Sequence, residues 1–146
     1  MSKGNTFEND ILKLIFNATA IANIADNAAT SPLTDLYVSL HTSDPGEAGD
    51  QTTNECNYTS YARVAVARTS GGWTVTNNSV SPVANIDFAN PSNATNLPQT
   101  ATHAAVGTAS SGAGKLLYSG ALSPTIAITS TGTTPRITTS STITED

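Results

Sequence analysis

The chain has 146 residues, the length of about one ordinary domain. Its net charge is -5, and its six Lys and Arg residues are scattered along the sequence. Phosphate neutralisation needs clustered basic residues, so we expect no nucleic-acid partner. No segment approaches the ~18 consecutive apolar residues of a membrane span, and we expect no membrane partner. Charged residues make up only 12% of the chain, which favours wide contact with other proteins over life as a free monomer.

The first 30 residues predict a helical arm. Asn5 and Glu8 have the three-residue spacing of a capping box, and Ser31-Pro32 ends the region. A stripe of apolar residues follows at helical spacing, and we expect this stripe to be buried against the sheet or against a neighbouring subunit. The interface candidates on this stripe are Phe7, Ile11, Leu14 and Ile15.

From Leu36 onward the hydrophobic period changes from helical to two, which indicates strands. The predicted strands cover residues 36–41, 61–68, 73–76, 79–83, 86–88, 103–109, 115–122, 125–129 and 136–144. Turn signals separate them at short intervals, and no helix alternates with them. The fold class predicted is mainly β, an antiparallel β-sandwich or barrel with one N-terminal helix. We expect a single domain over residues 1–146, in which residues 34–146 form the β domain.

The sequence offers no complete catalytic motif. The two histidines, His41 and His103, lie at strand ends, and nothing in the sequence places them near each other or near a nucleophile. The glycine-rich segment 107–115 resembles a phosphate-binding loop only superficially. Ala109 stands where the first glycine belongs and Leu116 where Ser or Thr belongs, so we predict a hairpin turn there. We therefore expect no catalytic residue, no cofactor and no enzymatic activity.

An acidic loop follows the first predicted strand, with Asp44, Glu47, Asp50 and Glu55 close together. Its spacing misses the template of a calcium loop, so we predict no metal site, although the sequence leaves ion binding by this loop open. A solvated loop, or one that pairs with an arginine, is the favoured interpretation. Arg63 and Arg68 are the candidates for contact with acidic groups of a neighbouring subunit, with a solvated strand face as the alternative.

Five segments of the chain resemble a family of small structural proteins from tailed-bacteriophage virions. They are residues 7–17, 36–42, 44–49, 61–68 and 107–120, and they are distributed from the start of the chain to about Leu122, so the resemblance spans most of its length. Members of this family are often labelled loosely as tail-fibre-like, and small β proteins of this kind commonly serve as cement or decoration proteins on a capsid. The resemblance implies a part of the virion and carries over no catalytic residue.

Three functions are compatible with these features; the first is the function that we predict, and the other two are alternatives. The first is a capsid cement or decoration protein on the capsid exterior, a homotrimer that binds the major capsid protein. The loops 42–57 and 90–100 and the helical arm are then the expected contact regions. The second is a head or tail fibre component with a role in receptor binding. The third is a glycan hydrolase of the virion, which the 5% aromatic content disfavours.

Overall fold

The computed structural model describes residues 5–21 and 33–145, and within them the chain forms one helix and nine strands. Helix α1 spans Asn5–Asn17, as the capping-box spacing predicts. Ala18 follows the helix with a φ of 52°, and the Thr19 N–H bonds to the Lys13 carbonyl at 3.0 Å. The rest of the predicted arm, residues 22–30, lies outside the described residues.

The strands form three sheets, and the predicted mainly β, antiparallel fold with an N-terminal helix is confirmed. A four-stranded sheet has the order β2-β1-β6-β7, a three-stranded sheet has the order β3-β4-β9, and β5 pairs with β8. Their bounds are β1 Asp35–His41, β2 Val64–Ala67, β3 Trp73–Thr76, β4 Ser79–Pro82, β5 Ile86–Asp87, β6 Gln99–Gly107, β7 Leu116–Ile128, β8 Arg136–Ile137 and β9 Ile143–Thr144.

Strand β7 differs from the prediction because it joins two predicted strands into one of 13 residues. Ala101 pairs with Ile126 and His103 pairs with Ala121, so four residues of β7 lie opposite one residue of β6. Pro124 falls within this register shift and has no paired residue in β6. The ladder therefore loses no hydrogen bond through the missing N–H of the proline. The strand therefore continues past a proline that marks a break in the sequence pattern.

The chain divides into two compact units, each built from segments that are distant in sequence. The first unit comprises the described parts of residues 1–35, 66–85 and 138–146. In it α1 packs on the hairpin of β3 and β4, whose two-residue turn has Asn77 in the left-handed region at a φ of 53°. Phe16 meets Trp73 edge to face, with ring centroids 4.8 Å apart.

The second unit comprises residues 36–65 and 86–137 and contains most of the four-stranded sheet. Strand β1 is buried on both faces, with Leu36, Val38 and Leu40 on one face and with Ser39 and His41 on the other. The aromatic rings of Tyr58, Tyr61 and Phe88 pack together in this unit, at centroid distances of 5.3 Å and 6.1 Å. The expected single domain stays a prediction.

Candidate functional site

The predicted apolar stripe of α1 is only half-buried. Ile11, Leu14 and Ile15 are of intermediate exposure, and the side chain of Phe7 lies outside the described part of the chain. Among the helix side chains that the structure describes, the fully buried apolar ones are Leu12 and Phe16, which belong to the next row of side chains around the helix. The buried face is therefore rotated away from the stripe that the spacing suggests, and a role of the stripe in an interface stays a prediction.

Arg68 lies at the C-terminal end of α1. Its Nε donates to the Ile15 carbonyl at 2.5 Å, its Nη2 donates to the Leu14 carbonyl at 2.6 Å, and its Nη1 is 3.4 Å from the Leu33 carbonyl. Carbonyls in the last turn of a helix have no partner within the helix, and the macrodipole makes this end favourable for a cation. Arg68 thus caps the helix of its own chain, and its predicted contact with another subunit stays a prediction.

Arg63 forms a buried ion pair with Glu55, and the two side chains are 2% and 16% exposed. Its Nε and Nη2 donate to the two carboxylate oxygens at 2.7 Å and 2.8 Å, a bidentate arrangement. In addition, Nη1 donates to the Ala109 carbonyl at 2.9 Å, and Nη2 donates to the Gly112 carbonyl at 2.8 Å. The carboxylate of Glu55 raises the pKa of the Arg63 guanidinium. Since these donors are used within the chain, the contact of Arg63 with a neighbouring subunit stays an untested prediction.

The Tyr61 hydroxyl links this ion pair to the sheet. It donates to Glu55 Oε1 at 3.0 Å and accepts the Leu40 backbone N–H at 2.9 Å. Burial is the largest cause that raises the pKa of Tyr61. Burial also raises the pKa of the nearby Cys56 thiol to about 12, so this thiol stays protonated and unreactive.

His41 and Ser39, which lie on one face of β1, form a hydrogen-bonded pair. The Nδ1–H of His41 donates to the Thr53 carbonyl at 2.8 Å, so Nε2, 2.8 Å from Ser39 Oγ, accepts the hydroxyl proton. His103 lies directly opposite His41 in the ladder of β1 and β6. The two histidines, which nothing in the sequence placed together, are therefore neighbours in the sheet.

The Ser39–His41 pair has the polar contacts of a catalytic dyad, but both side chains are fully buried. Burial is the largest cause that lowers the pKa of His41 and favours its neutral form. In this structure the pair joins the sheet to the acidic loop through the Thr53 carbonyl. The period-two spacing of Ser39 and His41 on one face of β1 was the signal in the sequence that predicts their proximity.

The acidic loop uses its carboxylates to hold its own turns. Asp44 Oδ1 accepts the Gly46 N–H at 2.9 Å, and Asp50 Oδ1 accepts the Thr52 N–H and hydroxyl at 2.8 Å and 2.6 Å. The Thr52 hydroxyl is the main cause that lowers the pKa of Asp50. Across residues 5–21 and 33–145, no three His, Cys, Asp or Glu side chains converge in a way that suits a metal ion.

Gln51 explains two of the three glycines in the segment that resembles a phosphate loop, Gly107 and Gly114. Its side chain is fully buried; Oε1 accepts the Ala109 N–H at 2.9 Å, and Nε2 donates to the Tyr37 carbonyl at 3.3 Å. A Cβ added at Gly107 or Gly114 would lie 2.1 Å or 2.2 Å from atoms of Gln51. These glycines therefore make room for a buried glutamine, and the predicted hairpin between β6 and β7 is confirmed.

Among the described residues, no helix is long and apolar enough to cross a membrane. A family model described as podophage GP4 fiber I protein gp80 matches residues 2–144. The chain belongs to this family. It is thus a structural protein of a tailed-phage virion, in agreement with the resemblance of its five segments. No curated protein matches the chain.

Proposed function

We propose that the chain is a non-enzymatic structural subunit of a podophage fibre. The observation that carries this proposal is the family match over residues 2–144, whose description names a fibre protein. Because the match extends over almost the whole chain, it includes both compact units.

The internal contacts of the second unit support a structural role. Its buried polar groups satisfy one another: Glu55 pairs with Arg63, and Ser39 pairs with His41. Buried groups that are satisfied in this way hold loops on a sheet and give one well-defined surface. Because the side chains of Arg63, Ser39 and His41 are buried, a substrate has no access to them. This is expected of a subunit whose role is to bind other proteins.

Capsid cement protein is the second candidate, and the net charge of -5 favours an outward-facing place in the particle. In this role the chain would decorate the capsid exterior as a homotrimer and bind the major capsid protein. Many copies that bind only the assembled shell would stabilise it by mass action. The fibre proposal is preferred because the family description names a fibre.

The location and copy number of the protein in purified particles test the two proposals. Gold-labelled antibodies should mark the fibres, and quantitative mass spectrometry should find far fewer copies than of the major capsid protein. Labelling over the head, at a copy number comparable to that of the major capsid protein, would replace the fibre proposal with the cement proposal. Absence of the chain from purified virions would refute both.

A further inference from the structure

A cavity of about 580 Å³ lies in the first unit, between α1 and the hairpin of β3 and β4. Its volume is within the range of about 300–1,000 Å³ that small-molecule sites usually have. Its lining differs from theirs, because most small-molecule sites are mainly apolar and this one is mainly polar. The cavity, called here the amide pocket, is lined by Thr6, Asn9, Lys13, Val75, Asn77 and Asn78.

The two walls of the amide pocket are joined by a hydrogen bond between lining residues. Thr6, Asn9 and Lys13 follow one another at spacings of three and four residues, which places them along one face of α1. The side-chain amide of Asn9 donates to the Asn77 carbonyl, and this bond holds that face of the helix against the turn of the hairpin. The pocket is therefore formed before a ligand arrives, and binding does not have to order its walls.

The amide groups of the pocket keep hydrogen-bonding capacity for a ligand. A side-chain amide has two N–H donors and an acceptor oxygen. Asn9 uses one N–H on the hairpin turn, and Asn78 uses one on the Glu145 carbonyl at 3.1 Å. Among the hydrogen bonds of the described residues, neither amide makes another, so each retains one N–H and its oxygen. The best match is a ligand rich in hydroxyl groups, since a hydroxyl also both donates and accepts.

Lys13 gives the amide pocket its charge. The lining includes neither Glu8 nor Asp10, the two acidic residues of α1, and its other five residues are uncharged. The Lys13 ammonium is a compact cation that attracts an anionic group of a ligand. Val75 is half-buried and adds an apolar surface on which the C–H groups of a sugar ring can pack. Hydroxyl groups for the amides and a carboxylate for the lysine together describe an acidic sugar.

We propose that the amide pocket binds one residue of an acidic sugar, with the carboxylate at Lys13 and the hydroxyl groups at the amides of Asn9 and Asn78. No aromatic ring is among the six lining residues, so hydrogen bonds and charge hold the sugar without stacking. We expect a dissociation constant of about 1–10 mM for a single sugar, and tighter binding where several copies engage one polysaccharide. This inference rests on the proposed function in taking the polysaccharide to be on the cell surface that a fibre meets.

Titration of the full chain with free sugars, followed through its backbone amide signals by NMR, tests the proposal. Glucuronate is the acidic sugar, glucose is its neutral counterpart, and acetate supplies the carboxylate alone, all at the same ionic strength and neutral pH. Glucuronate should shift the signals of the lining residues, with a dissociation constant about fivefold or more below that of glucose, because glucose has no carboxylate for Lys13. Acetate should bind more weakly than glucuronate because it has no hydroxyl group for the amides.

Lys13→Gln separates the two parts of the recognition. It removes the cation and keeps a polar side chain that favours the helix, so glucuronate should then bind no better than glucose, while the binding of glucose stays unchanged. The matched control is Lys115→Gln, which removes a cation from an exposed position of the second unit and should leave both dissociation constants unchanged. If Lys13→Gln impairs folding, the comparison of the three ligands on the unmodified chain still decides the matter.

The proposal is overturned if glucuronate at about 100 mM leaves the signals of the lining residues unshifted, or if glucose or acetate binds as tightly as glucuronate. The proposed function fails in a different way. Glucuronate binding at the amide pocket, combined with gold label absent from the fibres, retains this inference and refutes the proposed function. Labelled fibres, combined with a chain that binds no sugar at the pocket, do the reverse.

Discussion

Glu55→Gln is a nearly isosteric substitution for which the structure predicts a large loss of stability. It removes the charge that compensates the Arg63 guanidinium, while the shape of the side chain is nearly unchanged. Arg63 is left with its bonds to the carbonyls of Ala109 and Gly112, and its side chain is only 2% exposed. Water is therefore unable to replace the missing carboxylate.

The magnitude follows from the bidentate contact of Arg63 with Glu55, in which the substitution removes one hydrogen bond and the negative charge behind the other. Each charge-assisted hydrogen bond contributes about 1.5–3 kcal/mol, and breaking a buried ion pair on one side costs about 3–5 kcal/mol. We expect a loss of about 3–4 kcal/mol, since the amide oxygen of glutamine is still able to accept one bond. Against a typical total of about 5–15 kcal/mol, this is a large part of the free energy of unfolding.

Urea unfolding followed by circular dichroism measures this change through the shift in midpoint. The matched control is Asp87→Asn, which neutralises the carboxylate of the Asp87–Arg136 pair, where both side chains are about half exposed. The control should have a far smaller effect because water screens that pair. A loss below about 1 kcal/mol for Glu55→Gln would refute the reasoning, because that is the value of an exposed pair.

Two further predictions concern the end of α1 and the buried histidine. Arg68→Ala should lower the free energy of unfolding by about 1–2 kcal/mol and reduce helical ellipticity, since carbonyls of the last helical turn lose their cation; an unchanged α1 signal would contradict the capping role. Because the pKa of His41 is lowered in the folded chain, this histidine takes up a proton at a higher pH in the unfolded chain than in the folded chain. Stability is therefore full above the ordinary value of 6.5 and falls as the pH drops below it, by at most about 1.4 kcal/mol per pH unit. The free energy of unfolding, measured across this pH range, should fall more steeply in the unmodified chain than in the His41→Gln variant. Equal slopes would show that His41 is not the group responsible. The charged or titratable neighbours of His41 are Glu55, Arg63 and His103.

Local patterns in the sequence determined most of the elements. The capping-box spacing of Asn5 and Glu8 predicted the start of α1, and the period-two pattern from Leu36 predicted β1. The strands at 73–76 and 79–83 agree closely with β3 and β4, because a two-residue Asn turn joins neighbours in sequence. Helical and strand periods and turn signals act within a few residues, so a single sequence is sufficient to reveal them.

The partners of the candidate interface residues required the tertiary structure. Arg63 and Arg68 look alike in the sequence, yet one is buried against Glu55 and the other caps α1. Arg68 lies more than 50 residues from the carbonyls of Leu14 and Ile15 that it contacts. No local pattern in the sequence indicates a contact between residues so far apart in the chain. Both arginines were therefore predicted to lie on the surface.

The sequence by itself determined that the chain is a mainly β protein with an N-terminal helix, and its segments indicated a virion structural family. Only the tertiary structure decided the order β2-β1-β6-β7, the length of β7 and the use of two glycines to accommodate Gln51. Strand order and side-chain packing depend on which distant segments meet. Contacts between distant segments are set by the burial of the whole core, and the secondary-structure preference of a short segment does not determine them.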